Sequence, residues 1–204
     1  MKFIRVIYDW VLSWSEKPSG PTALGVMSMT EASFFPIPPD VLLIPLALGN
    51  RDKAIRFAII CSVCSIFGAM IGYGIGHFIW WAEPGKFTGF AQFFFDHIPG
   101  FTILAFSKIQ TLYEKWNFWI VFTAGFTPIP FKLFTISAGA FKINFAAFVL
   151  ASLVGRSARF FLVSGLIKKF GEPIHLFIDN YFNILAIALT LLLFGGFFVI
   201  TLLF

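Results

Sequence analysis

Five ionisable residues of this chain stand in apolar surroundings: Glu31, Asp40, Lys132, Arg156 and Arg159. A charge at the centre of a bilayer costs roughly 2.5–3.5 kcal/mol on insertion scales, so such residues face a protein interior, pair with one another and mark a pathway. Pairing between the two acids and three bases offsets most of that cost and leaves base in excess. Excess base suits an anionic group such as a lipid phosphate, which arginine grips through two parallel hydrogen bonds and lysine attracts as a point charge. The acids suggest a second use, because a carboxylate inside a membrane can take up and release a proton in a coupled carrier. The plainer reading is that the charges only lock elements together, since a buried ion pair can do that without moving anything.

These charges flank two short proline loops that look alike. The first reads Phe35-Pro36-Ile37-Pro38-Pro39-Asp40 and the second Thr127-Pro128-Ile129-Pro130-Phe131-Lys132. A shift of 92 residues places Pro36 on Pro128, Ile37 on Ile129, Pro38 on Pro130 and Asp40 on Lys132. Apolar runs ending in Gly49 and Gly139 follow the loops. Proline inside a helix costs about 3 kcal/mol, and a helix that crosses a bilayer needs about 20 apolar residues. Pro36 and Pro38, and later Pro128 and Pro130, therefore break their segments into half-length pieces. We read two re-entrant hairpins, over 22–49 and 118–140. Their backbone must be buried in protein or line a wet cavity. Broken segments repeated in two halves are the best sequence pointer to a transporter's binding site.

The chain that positions these residues has 204 of them, 58% hydrophobic and 12% charged, with a mean hydropathy of +0.87. Soluble domains carry about 25% charged residues, so an integral membrane protein of one compact domain is expected. Thirty phenylalanines fit lipid-facing bulk and interfacial anchoring. The net charge of +5 is scattered through apolar runs; this argues against nucleic acid and for anionic lipid headgroups. Phe3, Ile4, Ile7, Trp10, Val11 and Trp14 recur at helical spacing, giving an interfacial amphipathic helix over 1–20.

A transmembrane helix over 54–82, an interfacial linker over 83–117, a second transmembrane helix over 143–167 and a third over 184–204 complete the reading. The fold expected is an all-α polytopic membrane protein, an inverted repeat of two re-entrant helical hairpins each followed by a transmembrane helix. Gly68, Gly72 and Gly76 share one helix face, for close packing or to flank a substrate path. Lysines and arginines favour one side by eight to four, which puts the N-terminus in the cytoplasm.

Other chemistries find little purchase. Gly72-Tyr73-Gly74-Ile75-Gly76 follows no strand, so it is no nucleotide loop. Cys61 and Cys64 form a C-x-x-C in an apolar helix with no second pair, which suits packing. The nucleophile elbow of hydrolases and the zinc-protease motif are both missing from the sequence. His77, His97 and His175 lie in separate segments without ligand spacing. No enzyme activity, metal or cofactor is expected, and no cleavable signal peptide.

Taken together, Glu31-Ala-Ser-Phe-Phe-Pro-Ile-Pro-Pro-Asp40, Gly72-Tyr-Gly-Ile-Gly76, Phe126-Thr-Pro-Ile-Pro130, Ala138-Gly139 and Gly155-Arg156-Ser-Ala-Arg159-Phe160-Phe161 resemble the DedA family, also called the VTT or SNARE-associated domain family. The resemblance runs from about Thr30 to Gly171, and the second loop looks most like the small YqaA-like branch. It implies an inverted pair of re-entrant hairpins in the bacterial inner membrane, and lipid translocation that in several members depends on the proton motive force. It matches the family's loop acids to Glu31 and Asp40. Many members carry arginines just before and after the second proline loop; Phe126 and Lys132 stand there in this chain.

The expected function is therefore a lipid flippase or scramblase for phospholipid or undecaprenyl phosphate. Lys132 and Arg159 would contact the phosphate with Arg156 in support, and Glu31 and Asp40 would exchange protons. Membrane lipids are the expected partners, with a second copy of the chain as a further one. The rival readings are a proton- or cation-coupled small-solute transporter and a non-transporting membrane assembly factor.

Overall fold

The computed structural model describes residues 17–83, 85–97, 102–127 and 129–171. Positions 1–16 of the expected interfacial helix, the span expected over 184–204, Pro128 and His175 lie outside the described residues.

Helices dominate what is described. Helix α1 is Gly20–Ser33, with Pro21 in its first turn, where the missing N–H costs nothing. It ends when the amides of Phe34 and Phe35 both turn back to the Thr30 carbonyl. The first proline loop follows, and then α2, Asp40–Gly49. A ten-residue helix is about 15 Å long, half of a bilayer's hydrocarbon thickness. A 3-10 turn, Arg51–Lys53, capped by the Asn50 side chain, leads into α3, Ala54–Trp80.

A two-stranded antiparallel ribbon comes next, β1 Trp81–Glu83 and β2 Lys86–Phe87. Gly85 takes φ +82° at its turn, a conformation that glycine adopts freely. Helix α4 is Gly89–His97, and α5 runs Ile103–Phe126 with non-helical dihedrals at Trp116. After the second proline loop come α6, Phe131–Ala140, and α7, Phe145–Phe170. Lys142, at φ 54°, ends α6: its amide bonds to Gly139 and the Ile143 amide to Ala138. Its ammonium lies 3.8 Å from the centre of the Trp81 ring.

The order helix, proline loop, ten-residue helix and long helix thus occurs twice, as α1-α2-α3 and α5-α6-α7. One element differs from the sequence reading, and one boundary falls close to it. α5 is kinked at Trp116, two residues before the start expected for the second hairpin at 118, so its first part belongs to the stretch read as a linker over 83–117. The ribbon adds a short β element to a fold expected to be all-α. Its ring contacts, Trp81 on Phe87 at 4.6 Å and Phe87 on Phe95 at 4.9 Å, are aromatic pairings that local apolar periodicity does not report.

Glycine sets the spacing of the helices. A Cβ built on Gly68 would collide with the Met29 carbonyl, on Gly72 with the Thr135 side chain, and on Gly76 with the Ile136 carbonyl. Gly139 meets the Tyr73 carbonyl in the same way, and Gly155 that of Phe122. The small-residue face of α3 is therefore filled by α1 and α6 and makes close packing, leaving no room for a path along it. Hydroxyls add cross-ties: Ser28 donates to the Cys61 carbonyl at 2.8 Å and Ser33 to that of Gly68 at 2.9 Å. Two apolar cores result, one around Leu42, Leu43, Phe57 and Phe160 and the other around Val121, Phe131, Ile143 and Phe148. Cys61 is buried in the first and Cys64 half-buried, both as free thiols.

Ile59, Val63, Phe67 and Ile71 face outward along one side of α3, as do Leu150, Val154 and Phe161 on α7. The stretches Arg51–Trp80 and Phe145–Phe170 are long and apolar enough to cross a membrane. Replacing Gly76 by valine should lower stability in detergent by about 1–3 kcal/mol, the usual cost of overpacking. Gly74→Val, where a Cβ meets nothing within 4 Å, should leave the unfolding midpoint nearly unchanged; equal losses at both positions would contradict this packing.

Candidate functional site

The two proline loops face a shared cavity of about 400 Å³. Its walls are Pro36 and Pro38 of the first loop, Ile129 and Pro130 of the second, Leu133, and all five charged residues named from sequence. Those five come from four helices, α1, α2, α6 and α7, across 128 positions of chain. α2 and α6 both begin at the cavity without a side-chain N-cap; the amides of Val41, Leu42 and Leu133 donate to the carbonyls of Pro38, Pro39 and Pro130, and the positive dipole ends lie at its wall.

The charges are not equivalent. Arg156, on α7, is the deepest at 2% exposure. Its Nη2 donates to Glu31 Oε2 at 2.5 Å and its Nε to Ser65 Oγ at 2.6 Å. Its guanidinium carbon lies 4.7 Å from the ring centre of Phe160 and 5.0 Å from that of Phe131. The cation is thereby neutralised by α1, hydrogen-bonded by α3 and sandwiched by rings of α6 and α7, which suits a planar, weakly hydrated group.

Arg159, one turn further on, sits nearer the opening. Its Nη2 donates to Asp40 Oδ2 at 2.7 Å and its Nη1 to the Thr127 carbonyl at 2.5 Å. Its buried Nε has no hydrogen-bond partner. Lys132, half-buried, has no carboxylate within ion-pair distance among the described residues. Its one hydrogen bond, to the Phe35 carbonyl, is 3.3 Å long. The two acids each hold an arginine, and Lys132 is the cation left over among the residues that line the cavity.

Several partners had no sequence signal as site residues. Ser65 sits in an apolar run where a serine ordinarily reads as helix packing. Thr135 donates to the Ala32 carbonyl at 2.9 Å and pins α6 to α1 beside the cavity. The carbonyls of Phe35 and Thr127 are backbone atoms that no residue type announces. Asp40 pairs with Arg159, whereas the 92-residue shift superposes it on Lys132.

Breaking a buried pair by removing one partner strands a charge and costs about 3–5 kcal/mol. Arg156→Leu should therefore destabilise the folded protein by about that amount. The double replacement Glu31→Leu with Arg156→Leu should recover most of it, as read by thermal unfolding in detergent; an Arg156→Leu protein as stable as wild type would rule out this pairing.

Similar sequences occur in two bacteria. The chain is 36% identical over 174 residues to an uncharacterized protein of Haemophilus influenzae, covering 84% of each chain. It is 33% identical over 178 residues to an uncharacterized protein of Histophilus somni, covering 84% of this chain and 85% of that one. No family model matches the chain. No solved structure matches it either. Identity at this level over most of both lengths means that the chain belongs to the same family as these two bacterial proteins.

Proposed function

We propose that this protein is a DedA-like membrane protein that moves lipid across the bacterial inner membrane, with the charged cavity as the place where the headgroup crosses. One observation carries the reading: five charges from four helices converge on one cavity between two broken helical segments, with one cation left without an acid. Buried charges that served only to staple helices would pair completely and leave no space between them. A cavity of about 400 Å³ accommodates a phosphorylated headgroup, while the outward apolar faces of α3 and α7 offer its tails a hydrocarbon environment.

In this reading α1-α2 and α5-α6 are the two re-entrant hairpins, entering from opposite faces, and the N-terminus is cytoplasmic. Lys132 and the free Nε of Arg159 meet the phosphate, helped by the uncapped N-termini of α2 and α6. Arg156 holds the floor of the site. Glu31 and Asp40 exchange protons, which couples headgroup movement to a proton gradient.

The test is lipid movement in proteoliposomes, with labelled phospholipid and labelled polyprenyl phosphate, each with and without a pH gradient. Movement of at least one label should exceed that of protein-free vesicles and respond to the gradient. Lys132→Gln should slow it at least tenfold in protein that remains folded. Glu31→Gln and Asp40→Asn should remove the gradient response. No movement of either lipid by folded protein would sink the reading.

A second reading has its own support. Both ion pairs join α1 or α2 to α7, as expected of charges that only fasten the fold in a membrane assembly factor. Replacing Asp40 and Arg159 together by asparagine and glutamine separates the two. A shifted unfolding midpoint, with no lipid movement by wild type or variant, would favour the assembly role; movement by wild type that is lost in a stable variant supports transport.

A further inference from the structure

The way charge is committed inside the cavity sets a limit on the headgroup, an inference that rests on the lipid-transport reading and narrows it. Arg156 is not available to a ligand. Turning it outward would leave Glu31 buried and unpaired, and would break the Ser65 bond and the contact with Phe131 and Phe160. Arg159 is half available: its two terminal nitrogens are bound to Asp40 and Thr127, while its buried Nε has no partner. It can give a hydrogen bond, but its charge is balanced by Asp40. Lys132 alone among the described lining residues brings charge without an acid, held only by a 3.3 Å bond to the Phe35 carbonyl.

We infer that the site selects a singly charged phosphodiester headgroup over a phosphomonoester, and that Lys132 sets this limit as the specificity-determining residue. A phosphodiester has one ionised oxygen and brings one negative charge, which Lys132 balances. A phosphate monoester carries about −1.5 to −2 at pH 7. Its second charge would meet no free cation and would face the carboxylates of Glu31 and Asp40 in a cavity walled by protein, where uncompensated charge is costly. The chemistry of lysine points the same way. One ammonium is a point charge on one oxygen, while a guanidinium forks across two and suits the terminal phosphate of a monoester.

The inference predicts a preference between two lipids with identical acyl chains, phosphatidylglycerol and phosphatidate. The purified full chain in detergent, offered both in equal amounts at pH 7.5 and read by native mass spectrometry, should retain at least fivefold more phosphatidylglycerol. Lys132→Gln should abolish that preference. Asp40→Asn, which frees the charge of Arg159, should move it towards phosphatidate at least threefold; Lys132→Arg, which offers a forked donor and leaves both ion pairs intact, serves in its place if the first variant does not fold. Equal retention of the two lipids by wild type, or a preference for phosphatidate, would overturn the inference. So would a preference that Lys132→Gln leaves intact.

Glycerophosphoglycerol, the same diester without acyl chains, separates a lipid headgroup from a free phosphodiester. Displacement of the lipid only at large excess supports the lipid, and displacement at equal concentration would make the soluble diester the ligand. The two levels of the account fail separately. Phosphatidate preference with intact lipid movement would remove this inference alone. Phosphatidylglycerol preference without lipid movement would remove transport alone.

Discussion

A guanidinium with almost no access to solvent has to be neutralised by its own protein, and the arrangement around Arg156 follows from that need. A buried cation is tolerable only if it is both paired and fully hydrogen-bonded. Glu31 supplies the counter-charge from α1, Ser65 an acceptor from α3, and Phe131 and Phe160 two ring faces from α6 and α7. Glycine lets the neighbouring backbones touch around this group: Gly68 and Gly72 bring α1 and α6 down onto α3, and Gly155 brings α5 onto α7. With Arg156 satisfied at the floor, Arg159 one turn away is left to Asp40 nearer the opening, and Lys132 to the cavity itself.

The proline loops create the polar demand that the outer charges meet. Proline lacks an N–H, so the turn before it leaves carbonyls without helical partners. Phe35 and Thr127 occupy the same position in the two loops, each directly before a proline. Both carbonyls accept a bond from a cation, Phe35 from Lys132 and Thr127 from Arg159. Each cation therefore quiets an orphaned carbonyl, and in the proposed function it is the same cation that an anion would meet. A ligand oxygen that takes over either cation must leave that carbonyl to water or to the ligand's own donors, which ties occupancy of the cavity to the conformation of both loops.

Much of this was legible in the sequence, because the strongest signals are of kinds that sequence carries. Charge in apolar surroundings is costly wherever it occurs, so Glu31, Asp40, Lys132, Arg156 and Arg159 stood out, and all five line one cavity. Proline punctuates helices locally, so the break between α1 and α2 and the start of α6 fell close to where they were read. Pairing was not legible: two acids and three bases allow several matches, and the choice of Arg159 for Asp40 depends on the rotation of α7 against α2. The change from a polar to an apolar run near position 118 was legible, and α5 is kinked beside it at Trp116; that both parts are helical was not, because the polar part has no marked apolar periodicity. Ser65 and Thr135 were missed because a hydroxyl in an apolar helix has the same appearance whether it bonds its own turn or a neighbour's arginine.

The central claim is that a lipid headgroup passes through the cavity between the two loops. Ile129 lines that cavity and bears no charge. The most direct measurement uses an Ile129→Cys protein in which Cys61 and Cys64 are replaced by alanine, reconstituted in proteoliposomes and treated with a charged thiol reagent. The account predicts that modification stops lipid movement and that bound phospholipid slows the modification. Complete modification with lipid movement at its original rate would place the path elsewhere and contradict the account.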